Sequence, residues 1–249
     1  MDKKGTAMRL DGKTALVTGG GSGFGAGIAT KFAAEGARVI VADINLTGAQ
    51  RVAETIGATP AHLDVASGES WSQIADSLPA PDIIVNNAGI NHTKGPLQDV
   101  DEAEFDRVFA VNAKSVYLAA RTFLGAMRAR GSGAILNVAS TAGISPRANL
   151  SWYNASKGWM ITATKSMAVE LAPDGIRVNA ICPVAGETPL LASFLGEDTP
   201  EMRASFLATI PLGRFSTPED MGNAACFLCS DEASMITGVA MEVDGGRCI

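Results

Sequence analysis

The sequence predicts an α/β fold: a single doubly wound parallel sheet of about seven strands, with helices on both faces. Three observations carry this. Short apolar runs recur along the chain with few polar residues inside them, as in strands covered on both faces. Stretches of helical length separate these runs, and such alternation builds a parallel sheet through right-handed crossovers. The 249 residues, 47% of them hydrophobic, are enough for one large core.

Each element has its own signal. Residues 14–18 are a short apolar strand, and 23–36 a helix stopped by Gly36. A second strand spans 38–42, a helix 46–57 and a third strand 61–65. A helix over 68–78 leads to the fourth strand at 82–86. Two long helices, 102–130 and 151–173, flank the fifth strand at 133–138. The sixth and seventh strands are 176–181 and 238–243. Before the last strand, Thr217 and Pro218 open a helix as cap and first residue. No linker, repeat or low-complexity tract divides the chain, so residues 1–249 read as one domain with a short extension at 1–8. Residues 188–211 break the alternation. They are apolar but interrupted by Gly196-Glu-Asp-Thr-Pro200, and they follow a strand's C-terminal end, where a substrate lid belongs. An ordinary surface helix pair is the alternative.

Composition excludes several classes. The formal net charge is −6 and the longest basic run is Lys3-Lys4, so no surface suits nucleic acid. No apolar run reaches the ~18 residues of a membrane span. Met1-Asp2-Lys3-Lys4-Gly5 has no apolar signal core, and a soluble cytoplasmic protein is expected. Cys226 and Cys229 have redox or metal spacing but lie in an amphipathic helix. With only two histidines in the chain, core packing is expected and no metal site.

Thr18-Gly19-Gly20-Gly21-Ser22-Gly23-Phe24-Gly25 joins the first strand to the first helix. Glycines there allow a tight turn and close backbone approach to a ligand. Free N–H groups at the helix start suit a pyrophosphate. The second strand ends at Asp43, followed by Ile44. An acidic residue about 20 positions beyond the glycines accepts hydrogen bonds from adenosine ribose hydroxyls and repels a 2′-phosphate. No Lys or Arg in the loop or at the strand end offsets it, so NAD(H) is favoured over NADP(H). Capping of the helix at 46–57 is the alternative for Asp43, and Asn45 could do that too.

Tyr153 and Lys157 lie four residues apart on one helix face. An ammonium beside a phenol is expected to pull its pKa down from about 10, making it a usable acid/base.

These motifs, separated but in order from about Leu10 onwards, resemble the short-chain dehydrogenase/reductase family. Thr18-Gly19-x-x-x-Gly23-x-Gly25 is similar to its glycine motif, and Asp64-Val65 to its adenine-side pair. Asn86-Asn87-Ala88-Gly89 is similar to its fourth-strand motif. Asn112, Ser140, Tyr153 and Lys157 match its catalytic tetrad one by one. The resemblance implies that Tyr153 exchanges the proton with substrate oxygen and Ser140 orients that oxygen. Lys157 is implied to lower the tyrosine pKa and hold the nicotinamide ribose, and Asn112 to fix a relaying water. Pro183, Gly186 and Thr188 are expected at the nicotinamide. The chain departs from the pattern there: Val184 stands where the family usually has glycine. The long helices are implied to form a homotetramer interface, with alanine-rich packing inside the monomer as the alternative.

The expected reaction interconverts a small secondary alcohol, polyol or sugar with its carbonyl. A 3-oxoacyl-thioester reductase and a non-catalytic NAD-sensing module are the alternatives. His92, Thr141, Asn149, Glu187 and Leu190 are candidates for the substrate walls. Trp152 is a further candidate, or a subunit contact.

Overall fold

Covering both faces of a sheet demands apolar residues at every strand position, and β1 (Thr14–Thr18) is buried at all five. The computed structural model describes residues 8–196 and 198–249. The expected extension, apart from Met8, and Glu197 of the segment after the sixth strand lie outside the described residues. In this structure β1 pairs with β2 (Arg38–Asp43) on one side and β4 (Ile83–Asn86) on the other. Outside β2 lies β3 (Thr59–His62). Beyond β4 come β5 (Gly133–Val138), β6 (Ile176–Pro183) and β7 (Ala240–Val243). All pairings are parallel, in the order β3-β2-β1-β4-β5-β6-β7, which is the doubly wound sheet expected. The order reverses between β1 and β4, and the C-terminal edge beside such a switch point is where a ligand cleft opens.

The period-two alternation of β1 feeds two cores. Val17 packs with Ile28 and Phe32 of α1 (Gly23–Ala34), Ala49 and Ala53 of α2 (Leu46–Ile56), and Met221, Cys226 and Cys229 of α9 (Pro218–Cys229). Both cysteines are therefore core residues, as expected. Leu16 packs on the other face with Trp71 of α3 (Gly68–Ser77), Phe123 and Met127 of α5 (Ser115–Arg130), and Ala168 and Leu171 of α6 (Ser151–Leu171). Thr217 caps α9 in a full capping box with Asp220, and Pro218 fills the first turn. Asn45, not Asp43, caps α2 by accepting from the Gly48 N–H.

Two expectations about the elements are corrected. The third strand lies earlier than 61–65. Among the described residues it is an edge strand that pairs only with β2, and an edge tolerates Pro60. Leu63 and Val65 are apolar because they enter the second core after the strand ends. The helix expected over 102–130 is interrupted: α4 (Glu102–Phe109) and α5 are joined by a π-helical turn, Ala110–Lys114. Residues 188–211 form two short helices, α7 (Leu191–Leu195) and α8 (Pro200–Leu207). Leu191 and Phe206 from these helices join Val184, Ile210 and Phe215 in a small core of their own.

Candidate active site

A cleft of about 620 Å³ runs along the C-terminal edge of the sheet. Gly19, Ser22, Gly23, Phe24, Asp43 and Ile44 line it on the β1–β2 side, with Asp64 and Val65 beyond β3. Asn87, Ala88 and Gly89 line it after β4, and Ser140, Thr141, Tyr153 and Lys157 on the β5 side. Pro183, Gly186, Thr188 and Leu190 complete the wall after β6.

The glycine loop is shaped by what lies behind it. At Gly25 a Cβ would fall 2.2 Å from the Gly19 carbonyl oxygen and 2.5 Å from Asn87 Nδ2. That asparagine amide donates to the Thr18 and Gly19 carbonyls at 2.8 and 3.1 Å, tying the loop to β4. Gly21 and Gly25 therefore shape the loop without lining the cleft. Asp43 braces the same loop. Its Oδ2 accepts the Gly21 N–H at 2.9 Å and its Oδ1 the Asn45 N–H at 2.8 Å. An approach cradled by backbone N–H groups, with a carboxylate at the end of β2, fits a pyrophosphate and an adenosine ribose.

Tyr153 and Lys157 are both buried on α6. Their expected electrostatic coupling is corrected. Lys157 Nζ donates to the Val138 carbonyl at 2.8 Å and stands 6.0 Å from the centre of the Tyr153 ring. Burial pushes the phenol up to about 12. A hydrogen bond with Ser140 and the charge of Arg147 pull it down by less. Burial likewise pushes Lys157 down to about 8. Desolvation is the largest cause of both shifts, because each group is almost wholly buried.

Asn112 sits on the π-turn, fully buried behind the cleft wall. Its amide accepts from the Ile90 N–H at 2.9 Å. It donates to the Ile90 carbonyl at 2.8 Å and to Ser156 Oγ at 3.0 Å. Ser156 in turn donates to the Tyr153 carbonyl. The asparagine thus ties the strand-four loop to the helix that carries Tyr153. A second buried network, Asn86 to Asn137 to Thr164, braces β4, β5 and α6 beneath it with two bonds of 2.8 Å.

Among the expected substrate residues, Thr141 and Leu190 line the cleft, whereas His92, Asn149 and Glu187 do not. His92 is buried, with Nδ1 against the Thr93 carbonyl. Asn149 turns the chain with a φ of 65°, and Glu187 pairs with Arg203 on the surface. Trp152 packs within the chain, donating to the Leu97 carbonyl and meeting Phe105 edge-on. Arg147, Leu150 and Phe194 line the cleft without having been expected. Phe194 sits 5.2 Å from the Tyr153 ring, which places the segment after β6 directly over the phenol. No local motif marks these three. Only their position between Ser140 and Tyr153, or in the segment over the cleft, singles them out.

The departure at Val184 also has a structural reason. Val184 is a buried anchor for the segment that carries α7 and α8. The glycine is needed two positions later: a Cβ at Gly186 would meet the Phe24 ring at 2.4 Å and the Ser216 carbonyl at 2.6 Å.

Comparison with known proteins agrees with this geometry. Residues 19–247 match the family model described as enoyl-(acyl carrier protein) reductase. The 4-formylbenzenesulfonate dehydrogenase of Comamonas testosteroni is 47% identical, over 97% of this chain and 100% of its own. A cyclopentanol dehydrogenase from the same species is 40% identical, over 96% of this chain and 98% of its own. The crystal structure of a 3-ketoacyl-(acyl-carrier-protein) reductase from Brucella melitensis complexed with NADH is also similar. It shares 47% identity and a TM-score of 0.92, with 96% of this chain and 100% of that chain covered. The chain belongs to the short-chain dehydrogenase/reductase family, oxidoreductases acting on CH–OH groups.

Proposed function

We propose that the chain interconverts a small secondary alcohol, polyol or sugar hydroxyl with its carbonyl, using NAD(H) in preference to NADP(H). The observation that carries this is one continuous cleft joining the glycine loop and Asp43 to Ser140, Tyr153 and Lys157. The relatives named above act on a ring alcohol and an aromatic aldehyde, which suits a cleft whose far wall is Leu150, Leu190 and Phe194. A bound nicotinamide would supply the hydride acceptor or donor. Gly19, Ser22, Gly23 and Phe24 would hold its pyrophosphate, and Asp43 and Ile44 its adenosine ribose. Asp64 and Val65 would flank the adenine. Asn87, Ala88, Gly89, Pro183, Gly186 and Thr188 would flank the nicotinamide half.

Tyr153 holds the exchangeable proton at its phenol oxygen. Ser140 shares a hydrogen bond with the phenol and would share the substrate oxygen too. Lys157, hydrogen-bonded to the Val138 carbonyl, would relay a proton and reach a ribose hydroxyl. Asn112 is a positioning residue that holds the Ile90 loop against α6. Residues 188–211 act as the lid and 1–249 as one nucleotide-binding and catalytic unit. Cytoplasmic location belongs to the same reading and is supported by the four unpaired cysteines. So does a homotetramer, supported by Tyr117, Trp159 and Val169, large side chains exposed on α5 and α6. A 3-oxoacyl-thioester reductase is the second reading, favoured by the Brucella relative.

The test is NADH formation by wild type and Tyr153→Phe across secondary alcohols, polyols, sugars and hydroxyacyl thioesters. Tyr153→Phe is expected to bind NADH normally and to lose about 10²–10⁴-fold in turnover. Near-normal activity would remove Tyr153 from the chemistry, and a response to thioesters alone would select the second reading.

A further inference from the structure

The loop between β5 and α6 brings a charge into the cleft beside the phenol. Arg147 lines the cavity with Ala142, Leu150, Tyr153 and Phe194, and its charge is felt at Tyr153. The loop is fixed: the Arg147 carbonyl accepts from Asn154 Nδ2 at 2.7 Å, and Leu150 is buried. The guanidinium carbon stands 4.0 Å from the centre of the Phe206 ring, a cation–π contact. Arg247, from the tail after β7, reaches the same ring at 5.6 Å.

Two guanidiniums gathered on one ring repel each other, and among the described residues no carboxylate neutralises them. Arg9, Arg128, Arg203 and Arg214 each pair with a carboxylate. Arg177 is held by the Leu228, Ser230 and Ile236 carbonyls. Among the described residues no carboxylate pairs with Arg147 or Arg247, and the buried Arg247 Nε has no partner. Burial, and then Arg247, push Arg147 down to about 10, which leaves it charged at neutral pH. A partly desolvated, uncompensated charge pair is a receptor for an anion, and a guanidinium fork matches the oxygens of a carboxylate or sulfonate.

The position separates this charge from the dinucleotide's phosphates. Asp43 ends β2 and Ser140 follows β5, three strands away, which is about 14 Å at the usual strand spacing. Arg147 belongs to the Ser140 end.

We propose that Arg147, backed by Arg247, is an anion subsite, and that the substrate is an alcohol or carbonyl compound bearing a carboxylate or sulfonate remote from the reacting carbon. This rests on the cleft being the substrate site of a nicotinamide-dependent dehydrogenase.

The experiment has two arms. The first compares kcat/KM for benzaldehyde and 4-carboxybenzaldehyde with NADH in wild type, Arg147→Gln, Arg147→Lys and Arg247→Gln. Wild type is expected to favour the carboxylate by at least about 10-fold. Arg147→Gln should lose that preference, Arg147→Lys restore part of it, and Arg247→Gln weaken it. The second arm needs no turnover: binding of benzenesulfonate and benzenesulfonamide to the NADH-loaded enzyme, read by NADH fluorescence at low and high salt. Sulfonate binding that exceeds sulfonamide binding and falls with salt and with Arg147→Gln supports the subsite. Anion binding without turnover of any aldehyde or alcohol keeps the subsite and removes the proposed reaction. Turnover with no preference for the anionic partner in wild type keeps the reaction and overturns the subsite. The wild-type comparisons hold even if a variant fails to fold.

Discussion

Asp43 braces the glycine loop in this structure and has a second, proposed duty at the cofactor, and a single substitution separates them. Its carboxylate accepts the Gly21 N–H of the glycine loop and the Asn45 N–H at the start of α2, and the proposed function sets it against the adenosine ribose of a dinucleotide. Asp43→Asn removes the charge but keeps one oxygen to accept one of those two N–H groups. The other loses its acceptor at a cost of about 1–3 kcal/mol, reduced here because Asp43 is only partly buried. For a chain this long that is a fall of a few °C in Tm, about 2–4 °C per kcal/mol. The electrostatic consequence is larger and specific. Two like charges about 4 Å apart cost roughly 1–4 kcal/mol between water and the protein surface. Relieving that repulsion should lower the NAD-to-NADP ratio of kcat/KM by roughly 5- to 700-fold, at about 1.4 kcal/mol per decade. Ile44 is 67% exposed, so adding Ile44→Arg places a cation at the same spot at little cost to packing and should lower the ratio further. The assay is steady-state kinetics with both dinucleotides, with melting curves as the control. A folded Asp43→Asn variant with an unchanged ratio would refute the ribose assignment and leave only the bracing of the loop.

Other predictions follow from local geometry. Gly25→Ala drives a Cβ into the Gly19 carbonyl and should abolish dinucleotide binding, measured by fluorescence titration of NADH. Of the two tyrosines, Tyr117→Phe leaves only Tyr153. Because burial raises that phenol to about 12, the dinucleotide-free variant should develop no phenolate ultraviolet absorbance below about pH 10. A step near pH 8 would reverse the sign argued for the site. Asn137→Ala strips the Asn86 amide of its partner, and Asn86 Oδ1 already lacks one. It should cost about 1–3 kcal/mol in denaturant unfolding.

Much of this was written locally. The strand-and-helix alternation, the glycine loop, Asp43 and the Tyr153–Lys157 spacing depend on short-range pattern, and each is where the sequence places it. Three things were not local. The third strand's apolar residues, Leu63 and Val65, serve a core formed by α3, so their hydropathy says nothing of where the strand ends. The spacing of Tyr153 and Lys157 shows a shared helix face, but the sign of their pKa shifts depends on burial by the 140s loop and Phe194, which come from elsewhere in the chain. Arg147 and Arg247 are one hundred residues apart in sequence, and only the fold of the segment bearing Phe206 brings them together.

The π-turn at Ala110–Lys114 amounts to one residue too many in an otherwise regular helix. Each helical residue turns the chain by about 100°. Deleting Ala110 would let α4 and α5 merge into one uninterrupted α-helix. It would also rotate everything before the deletion by that angle relative to everything after it. Asn112 could not then keep Ile90 on one side and Ser156 on the other. A length change should therefore not be tolerated at this turn: the more regular helix would leave the Ile90 loop untied from α6.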